Sequence, residues 1–260
     1  MISTIKAEFK KLFTVRSTYL VSLAVLLFVA GLIAFYGQGF KTDPKDLNSL
    51  FLASTITTFS NITSIAGAII ALLLLAHEYR YNTIVYTLTA SNSRSKVLAA
   101  KIIAVLVFVF FLSILVTSAA LAMSVAGVAA AGHTLPHQDI NYLTYLGKSV
   151  FLCEGYALFG LLLAALVRNL VGAIVIVLIV PNTLEGLLSL ILKKNSVYMP
   201  FTALQQVVQP PVITTRGGPA HPDTALTGVL TAPKGALVFL CYLILGWIIT
   251  WYLFLRRDAQ

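Results

Sequence analysis

A polar stretch at 74–102, LLAHEYRYNTIVYTLTASNSRSKVLAAKI, interrupts an otherwise apolar chain with His, Glu, Tyr and basic residues. Its segment HEYRY begins like the zinc-binding sequence H-E-x-x-H, but Tyr81 stands where the second His is required. The remaining histidines are predicted on the opposite side of the membrane from His77, namely His133, His137 and His221. A zinc metalloprotease is therefore disfavoured.

A second segment whose residues could take part in chemistry is the tripeptide GKS at 147–149, which resembles the end of a phosphate-binding loop. Such a loop needs another Gly five residues before Gly147, where this chain has Tyr142, and it needs a preceding strand. The sequence thus offers no nucleotide-binding loop of its own, and ATP hydrolysis would have to come from another chain.

Two carboxylates, Glu154 and Glu185, fall inside apolar runs, where a charged group is costly and often functional. At about 1.5 Å per residue, both lie in the outer half of a hydrocarbon core about 30 Å thick. Pro181 and Asn182 could break the helix just before Glu185. One interpretation is that the carboxylates reach outward or pair with lysines, namely Lys148, Lys193 or Lys194. The other is that Glu154, Glu185 and Asn182 line a transport path.

The composition indicates the kind of scaffold that carries these residues. Of 260 residues, 58% are hydrophobic and 10% charged, whereas soluble domains carry about 25% charged residues. The mean hydropathy of +0.91 agrees. The net charge of +9 is scattered between apolar runs, which favours a membrane protein over a nucleic-acid-binding one. Cys153 and Cys241 both lie in apolar runs and indicate neither a disulfide framework nor a metal cluster.

The apolar runs predict an all-α, polytopic membrane protein with six transmembrane helices in a single domain, 1–260. The predicted spans are 18–36, 51–76, 99–126, 149–167, 170–192 and 236–255. Lys and Arg are denser on the side that holds the N-terminus, so both termini are predicted in the cytoplasm. The first span lacks a signal-peptide cleavage site and is expected to be retained.

The segments between the spans also carry patterns. Residues 1–17 predict a basic amphipathic helix on the inner leaflet, the alternative being an ordinary basic flank of the first span. Its apolar residues recur at helical spacing: Ile2, Ile5, Phe9, Leu12 and Phe13. The outer segment, 193–235, holds most of the nine prolines and cannot be one helix, although 201–209 could form a short one. Its shared face would consist of Phe201, Leu204, Val207 and Val208.

The loop at 77–95 is predicted on the cytoplasmic side. Here Tyr81, Ile84, Val85 and Leu88 follow the spacing of one apolar helix face. The following TASNSRSK supplies a turn and caps for the next helix. Such a short helix could lie on lipid or dock into a groove of another protein, and spacing alone does not choose.

The stretch EYRYNTIVYTLTASNSRSKVLAAKI resembles the loop between spans two and three of ABC type-2 transporter permeases. The matching positions are Glu78, Arg80, Thr83, Ile84, Leu88, Ser93, Arg94 and Lys101. The ending YLFLRRDAQ also resembles the close of the last span in that family. Asn82 stands where the family frequently has Gly, and Ser91 and Asn92 stand where a Pro is common. Both departures bear on turn geometry.

This resemblance implies a coupling helix that docks into a separate ABC ATPase. The chain would be a non-enzymatic permease of an exporter in the bacterial inner membrane, working as a homodimer with two ATPase subunits. It would bind no cofactor directly, with ATP and Mg²⁺ on the partner. The implied ATPase-coupling residues are Glu78, Arg80, Tyr81, Thr83, Ile84, Val85, Leu88 and Arg94.

Three other functions remain open at this point. An ion-coupled secondary transporter would use Glu154 and Glu185 and would need no ATPase. An intramembrane enzyme would need a paired catalytic constellation, which the sequence does not present. A membrane scaffold or sensor partner would transport nothing. The cargo of an exporter does not follow from the sequence.

Overall fold

The computed structural model describes residues 2–14, 16–38, 51–91, 93–130, 132–134, 137, 141–209 and 230–256, and every regular element in these ranges is a helix. The helices are α1 (Ile2–Thr14), α2 (Arg16–Gln38), α3 (Phe51–Arg80), α4 (Ile84–Ser91), α5 (Arg94–Ala130), α6 (Tyr142–Val167), α7 (Leu170–Ile179), α8 (Glu185–Leu192), α9 (Pro200–Val208) and α10 (Ala232–Arg256). The middle of the predicted outer segment, 210–229, lies outside the described residues.

Five stretches of helix among the described residues are long and apolar enough to cross a membrane. They are Phe51–Arg80, Arg94–Ala130, Tyr142–Val167, Leu170–Leu192 and Ala232–Arg256, and they contain the second to sixth predicted spans. The first predicted span, 18–36, lies within the 23-residue helix α2, which is not among those five. The all-α polytopic class is confirmed, and a total of six spans stays a prediction.

Helix α3 lies at the centre of the bundle and is the most buried of the spans. It packs along α6 and also contacts α2, α5 and α7. Gly160 of α6 permits the closest approach, because a Cβ there would lie 2.2 Å from the Ala68 carbonyl oxygen. Small residues of this kind bring transmembrane helices together without a large apolar driving force.

Buried hydroxyl groups join the same helices. The Ser60 hydroxyl of α3 donates to Ser149 Oγ of α6 at 2.6 Å, and Thr117 of α5 shares a hydrogen bond with Ser149 at 3.0 Å. All three side chains are buried. In an apolar surrounding an unpaired hydroxyl would be costly, so this network favours one relative placement of the three helices.

The predicted break at Pro181 is a widened helical turn. Residues Val180–Leu184 form a π-helical turn between α7 and α8, in which the Glu185 N–H donates to the Val180 carbonyl. Pro181 has no N–H to continue the ordinary ladder. The Asn182 side chain donates to the Leu178 carbonyl at 3.0 Å. Helical structure therefore continues through the span, with extra backbone groups satisfied locally.

The short helix predicted at 201–209 is confirmed as α9. The four residues expected to share a face, Phe201, Leu204, Val207 and Val208, are all buried. Phe201 lies against the rings of Tyr156, Phe159 and Phe239. Helix α9 thus packs back against α6 and α10.

We expect Gly160→Ala to destabilise the protein by about 1–3 kcal/mol, because the added methyl group overlaps the backbone of α3. The matched control is Gly147→Ala on the same helix, where nothing lies within 4 Å of the new Cβ. That variant should be neutral or stabilised by up to about 1 kcal/mol through helix propensity. Thermal unfolding of both variants in detergent tests this, and equal stability would contradict the close contact.

Candidate functional site

The connection from α3 to α4 is a tight left-handed turn at Asn82. Its φ is 54°, and the Thr83 and Asn82 N–H groups donate to the carbonyls of Glu78 and Tyr79. This is a Schellman motif, in which a residue with positive φ ends a helix. Asn adopts that conformation more readily than most other non-glycine residues, so the turn needs no glycine at this position.

The four residues that were predicted to share one apolar face differ in their exposure to solvent. Ile84 is 2% exposed and belongs to the core of the chain, and Leu88 packs against that core. Tyr81 and Val85 are 63% and 42% exposed, and the neighbouring Tyr86 is 75% exposed. The inner side of α4 therefore fixes it to the bundle. Its outer side presents Val85 and Tyr86, and Tyr81 is exposed in the preceding turn, at the end of the bundle that we call the α4 end.

A buried charge cluster of Glu8, Lys11, Glu78 and Lys101 lies beneath α4. The Lys101 ammonium is fully buried and donates to Glu8 Oε2 and Glu78 Oε1, both at 2.8 Å. Its third bond reaches the Leu74 carbonyl at 3.4 Å. All three donors of the ammonium are thus used. This matters because a buried charge without partners carries a large desolvation cost.

Lys11 completes the buried charge cluster from α1. Its ammonium lies 2.7 Å from Glu8 Oε1 and 2.6 Å from Glu78 Oε1, and it donates to Thr87 Oγ1 of α4 at 3.4 Å. Burial lowers the pKa of Lys11, but its hydrogen bonds and charge interactions with Glu78 and Glu8 outweigh burial and raise the pKa above its usual value. Lys11 is therefore protonated at neutral pH, and two positive charges face two carboxylates.

The buried charge cluster joins four helices at one point. Glu8 and Lys11 come from α1, Glu78 from α3 and Lys101 from α5, while Thr87 adds α4. Sequence reasoning did not single out Glu8. The available signal was Lys101, a charge within an apolar run that requires a partner. The face of α1 that carries Glu8, Phe9 and Leu12 packs on protein, whereas Ile2 is exposed.

Other basic residues surround the same end of the bundle. The guanidinium carbon of Arg80 lies 5.6 Å from the centre of the Tyr81 ring, and that of Arg168 lies 5.4 Å from the centre of the Tyr79 ring. Arg94 donates to the Leu255 carbonyl at 3.2 Å, which ties the start of α5 to the end of α10. Thr83 is exposed beside the turn. The residues predicted for ATPase coupling are therefore all at the α4 end, on or next to α4.

Glu185 has a structural partner that neither sequence interpretation considered. Its Oε1 accepts from the Phe201 N–H at 2.9 Å, and its Oε2 accepts from the Thr202 N–H and hydroxyl at 2.7 and 2.8 Å. These donors belong to the first turn of α9, whose own N-cap, Met199, makes no side-chain bond. A carboxylate satisfies such free N–H groups and complements the positive end of the helix. Glu185 thus anchors α9 to α8.

Glu154 and Asn182 stand apart from Glu185. Glu154 is partly buried on α6, and its Oε2 is buried without a hydrogen-bond partner within the described part of the chain. Asn182 is exposed on the widened turn. The structure thus does not bring the three predicted path residues into one hydrogen-bonded group among the residues it describes, and only Glu185 has its carboxylate fully engaged.

We expect Lys101→Met to destabilise the protein by about 3–5 kcal/mol, because the variant leaves the carboxylates of Glu8 and Glu78 with a single cation. The control is Lys96→Met, on an exposed lysine of the same helix, which should change stability little. Thermal unfolding of the purified variants measures both. A Lys101→Met protein as stable as the control would show that the buried charge cluster does not hold α1, α3 and α5 together.

We expect the same chemical change to have different effects at the two membrane carboxylates. Glu185→Gln replaces an acceptor oxygen by a donor and leaves part of the α9 N-terminus unpaired, at a cost of about 1–3 kcal/mol. Glu154→Gln removes a carboxylate whose Oε2 has no described partner, and stability should stay level or rise. Parallel thermal unfolding curves test the contrast, and a more damaging Glu154→Gln would contradict it.

The part of the chain that contains α4 and the buried charge cluster resembles a known protein family. A family model described as "ABC-2 family transporter protein" matches residues 4–184, a span that includes most of α1, α4 and the whole buried charge cluster. A search of curated proteins found no match. The family match covers well over half of the chain and agrees with the all-helical, membrane-spanning architecture. The chain therefore belongs to the ABC-2 family of transporter proteins and is a membrane permease of an ABC transporter.

Proposed function

We propose that the chain is the membrane subunit of an ATP-driven exporter and that α4 receives motion from a separate ABC ATPase. The observation that carries this proposal is the division of α4 into two sides. Its inner side is fixed to the bundle through Ile84 and the buried charge cluster, and its outer side exposes Val85 and Tyr86, next to the exposed Tyr81 of the preceding turn.

The exposed side has the chemistry of a protein-binding surface. Tyrosine is enriched among residues that dominate binding energy, since it combines apolar area with a hydrogen-bonding group. A helix of eight residues is too short to be stable alone in water, so its packing on the bundle must hold it in shape. A preformed helix loses little entropy on docking into a groove of a partner. Arg80 and Thr83 border this surface.

The buried charge cluster would carry the motion inward. Lys11 contacts Thr87 of α4 and the carboxylates of Glu8 and Glu78. Because Lys101 of α5 binds the same carboxylates, a displacement of α4 would act on the ends of α1, α3 and α5 together. Breaking the charge pairs inside the protein would be costly. A rigid-body movement of these helix ends is therefore favoured over a local rearrangement, and such a movement would change the packing of the spans.

The rest of the proposed assembly rests on the charge distribution and on the family to which the chain belongs. The α4 end would lie in the cytoplasm, with both termini on that side, as the distribution of Lys and Arg favours. Two copies of the chain would combine with two ATPases in a bacterial inner membrane, with ATP and Mg²⁺ bound by the ATPases. Glu154 and Asn182 stay candidates for the transport path, whereas the engagement of Glu185 by α9 favours an anchoring role.

We expect Val85→Asp to abolish stable ATPase binding. A charge placed in an apolar docking interface can cost several kcal/mol, against about 8 kcal/mol for a micromolar complex. The measurement is the amount of ABC ATPase that co-purifies with the tagged chain from its native membrane. The ATPase yield should fall at least tenfold while the permease remains folded by size-exclusion chromatography.

Ile2→Asp is the matched control, because Ile2 is an exposed apolar residue of α1 outside α4. It should retain the ATPase. Full binding by Val85→Asp together with loss of binding by Ile2→Asp would move the interface to α1 and contradict the assignment of α4.

A further inference from the structure

A long apolar groove runs between α5, α6 and α10, outside the buried charge cluster. Its volume is about 630 Å³, and it is lined by Ile102 of α5, Leu158 of α6 and a face of α10 that includes Leu243, Trp247, Trp251 and Leu255. Several of the α10 residues in this lining are more than half exposed, among them Ile244, Ile248 and Tyr252. In a membrane-spanning helix such residues face lipid or another chain.

The length of the groove matches one leaflet. Leu243 and Leu255 are twelve residues apart on α10, which is about 18 Å along the helix. Half of the hydrocarbon core is about 15 Å. The groove therefore runs from near the middle of the membrane to the α4 end, the distance that an acyl chain of one leaflet covers.

Positive charge is concentrated at the α4 end of the groove. Arg256 lies 4.3 Å from the centre of the Tyr252 ring, and Tyr252 is part of the lining. Arg94 donates to the carbonyl of Leu255, another lining residue. An apolar groove between helices with arginines at its headgroup end has the complementarity that anionic phospholipids require.

We infer that this groove binds an anionic phospholipid, with an acyl chain along α10 and the phosphate at Arg256 and Arg94. With the orientation used for the proposed function, the lipid belongs to the cytoplasmic leaflet. The inference does not depend on an ATPase partner. The lipid would contact the junction between α5 and α10, next to the helix ends that the buried charge cluster joins.

Intrinsic fluorescence tests this directly, because the two tryptophans of the chain, Trp247 and Trp251, both line the groove. The full chain is reconstituted in vesicles that contain brominated phosphatidylglycerol in phosphatidylcholine, or brominated phosphatidylcholine in phosphatidylglycerol, at equal mole fraction of quencher. Bromine quenches tryptophan at contact distance. We expect stronger quenching by brominated phosphatidylglycerol at low salt and a smaller difference at high salt.

Variants then locate the headgroup. Arg256→Gln should reduce the preference for phosphatidylglycerol roughly fivefold, the effect of one basic residue near an anionic membrane surface. Arg256→Lys keeps the charge and should keep the preference. Arg16→Gln removes an exposed charge from the start of α2, away from the groove lining, and should also keep it.

Equal quenching by the two lipids would overturn the inference, and so would a preference that survives Arg256→Gln. Absence of quenching by either lipid would show that a second copy of the chain or another apolar segment covers the groove. Loss of preference in Arg16→Gln would attribute the effect to net charge and would likewise overturn the site. Each of these results leaves the ATPase-binding test unaffected.

Discussion

The pairing of charges around Lys101 is the constraint on which the α4 end of this protein depends. A lysine that is fully removed from solvent must have its three donors satisfied, or its burial would cost several kcal/mol. Glu8, Glu78 and the Leu74 carbonyl supply the acceptors. These partners come from α1 and α3, so the ends of these helices must converge on α5. Helix α4, resting on Lys11 through Thr87, takes its position from the same arrangement.

Away from the buried charge cluster, the bundle relies on close packing and on polar groups that side chains satisfy. Gly160 lets α6 approach the backbone of α3, and the hydroxyls of Ser60, Ser149 and Thr117 tie these helices to α5. Glu185 holds the first turn of α9 against the span that contains Pro181. With neutral hydroxyls or a helix N-terminus as partners, a membrane protein can keep polar groups in a medium without water.

The α4 end and the rest of the bundle are thus held by different kinds of interaction. Under the proposed coupling, the paired charges would keep the α4 end together while it receives force from the ATPase. Elsewhere the spans meet through small side chains, apolar surfaces and neutral hydroxyls, whose rearrangement breaks no ion pair. The exposed apolar faces of α7, α8 and α10 provide the surfaces that meet lipid or a second chain, and the groove beside α10 distinguishes one part of that surface from the rest.

The sequence by itself determined the helical class, the positions of most spans and the short helices α4 and α9. Backbone groups in lipid must be satisfied within each segment, so runs of apolar residues predict helices directly. The left-handed backbone conformation at Asn82, a position that the resemblance had linked to turn geometry, is likewise a local property. Only the tertiary structure decided which side of α4 stays exposed, that Glu8 meets Lys101 across 93 residues, and that Glu185 caps α9. These outcomes depend on how each helix is rotated and placed against its neighbours, and the periodicity of a single segment carries no information about that.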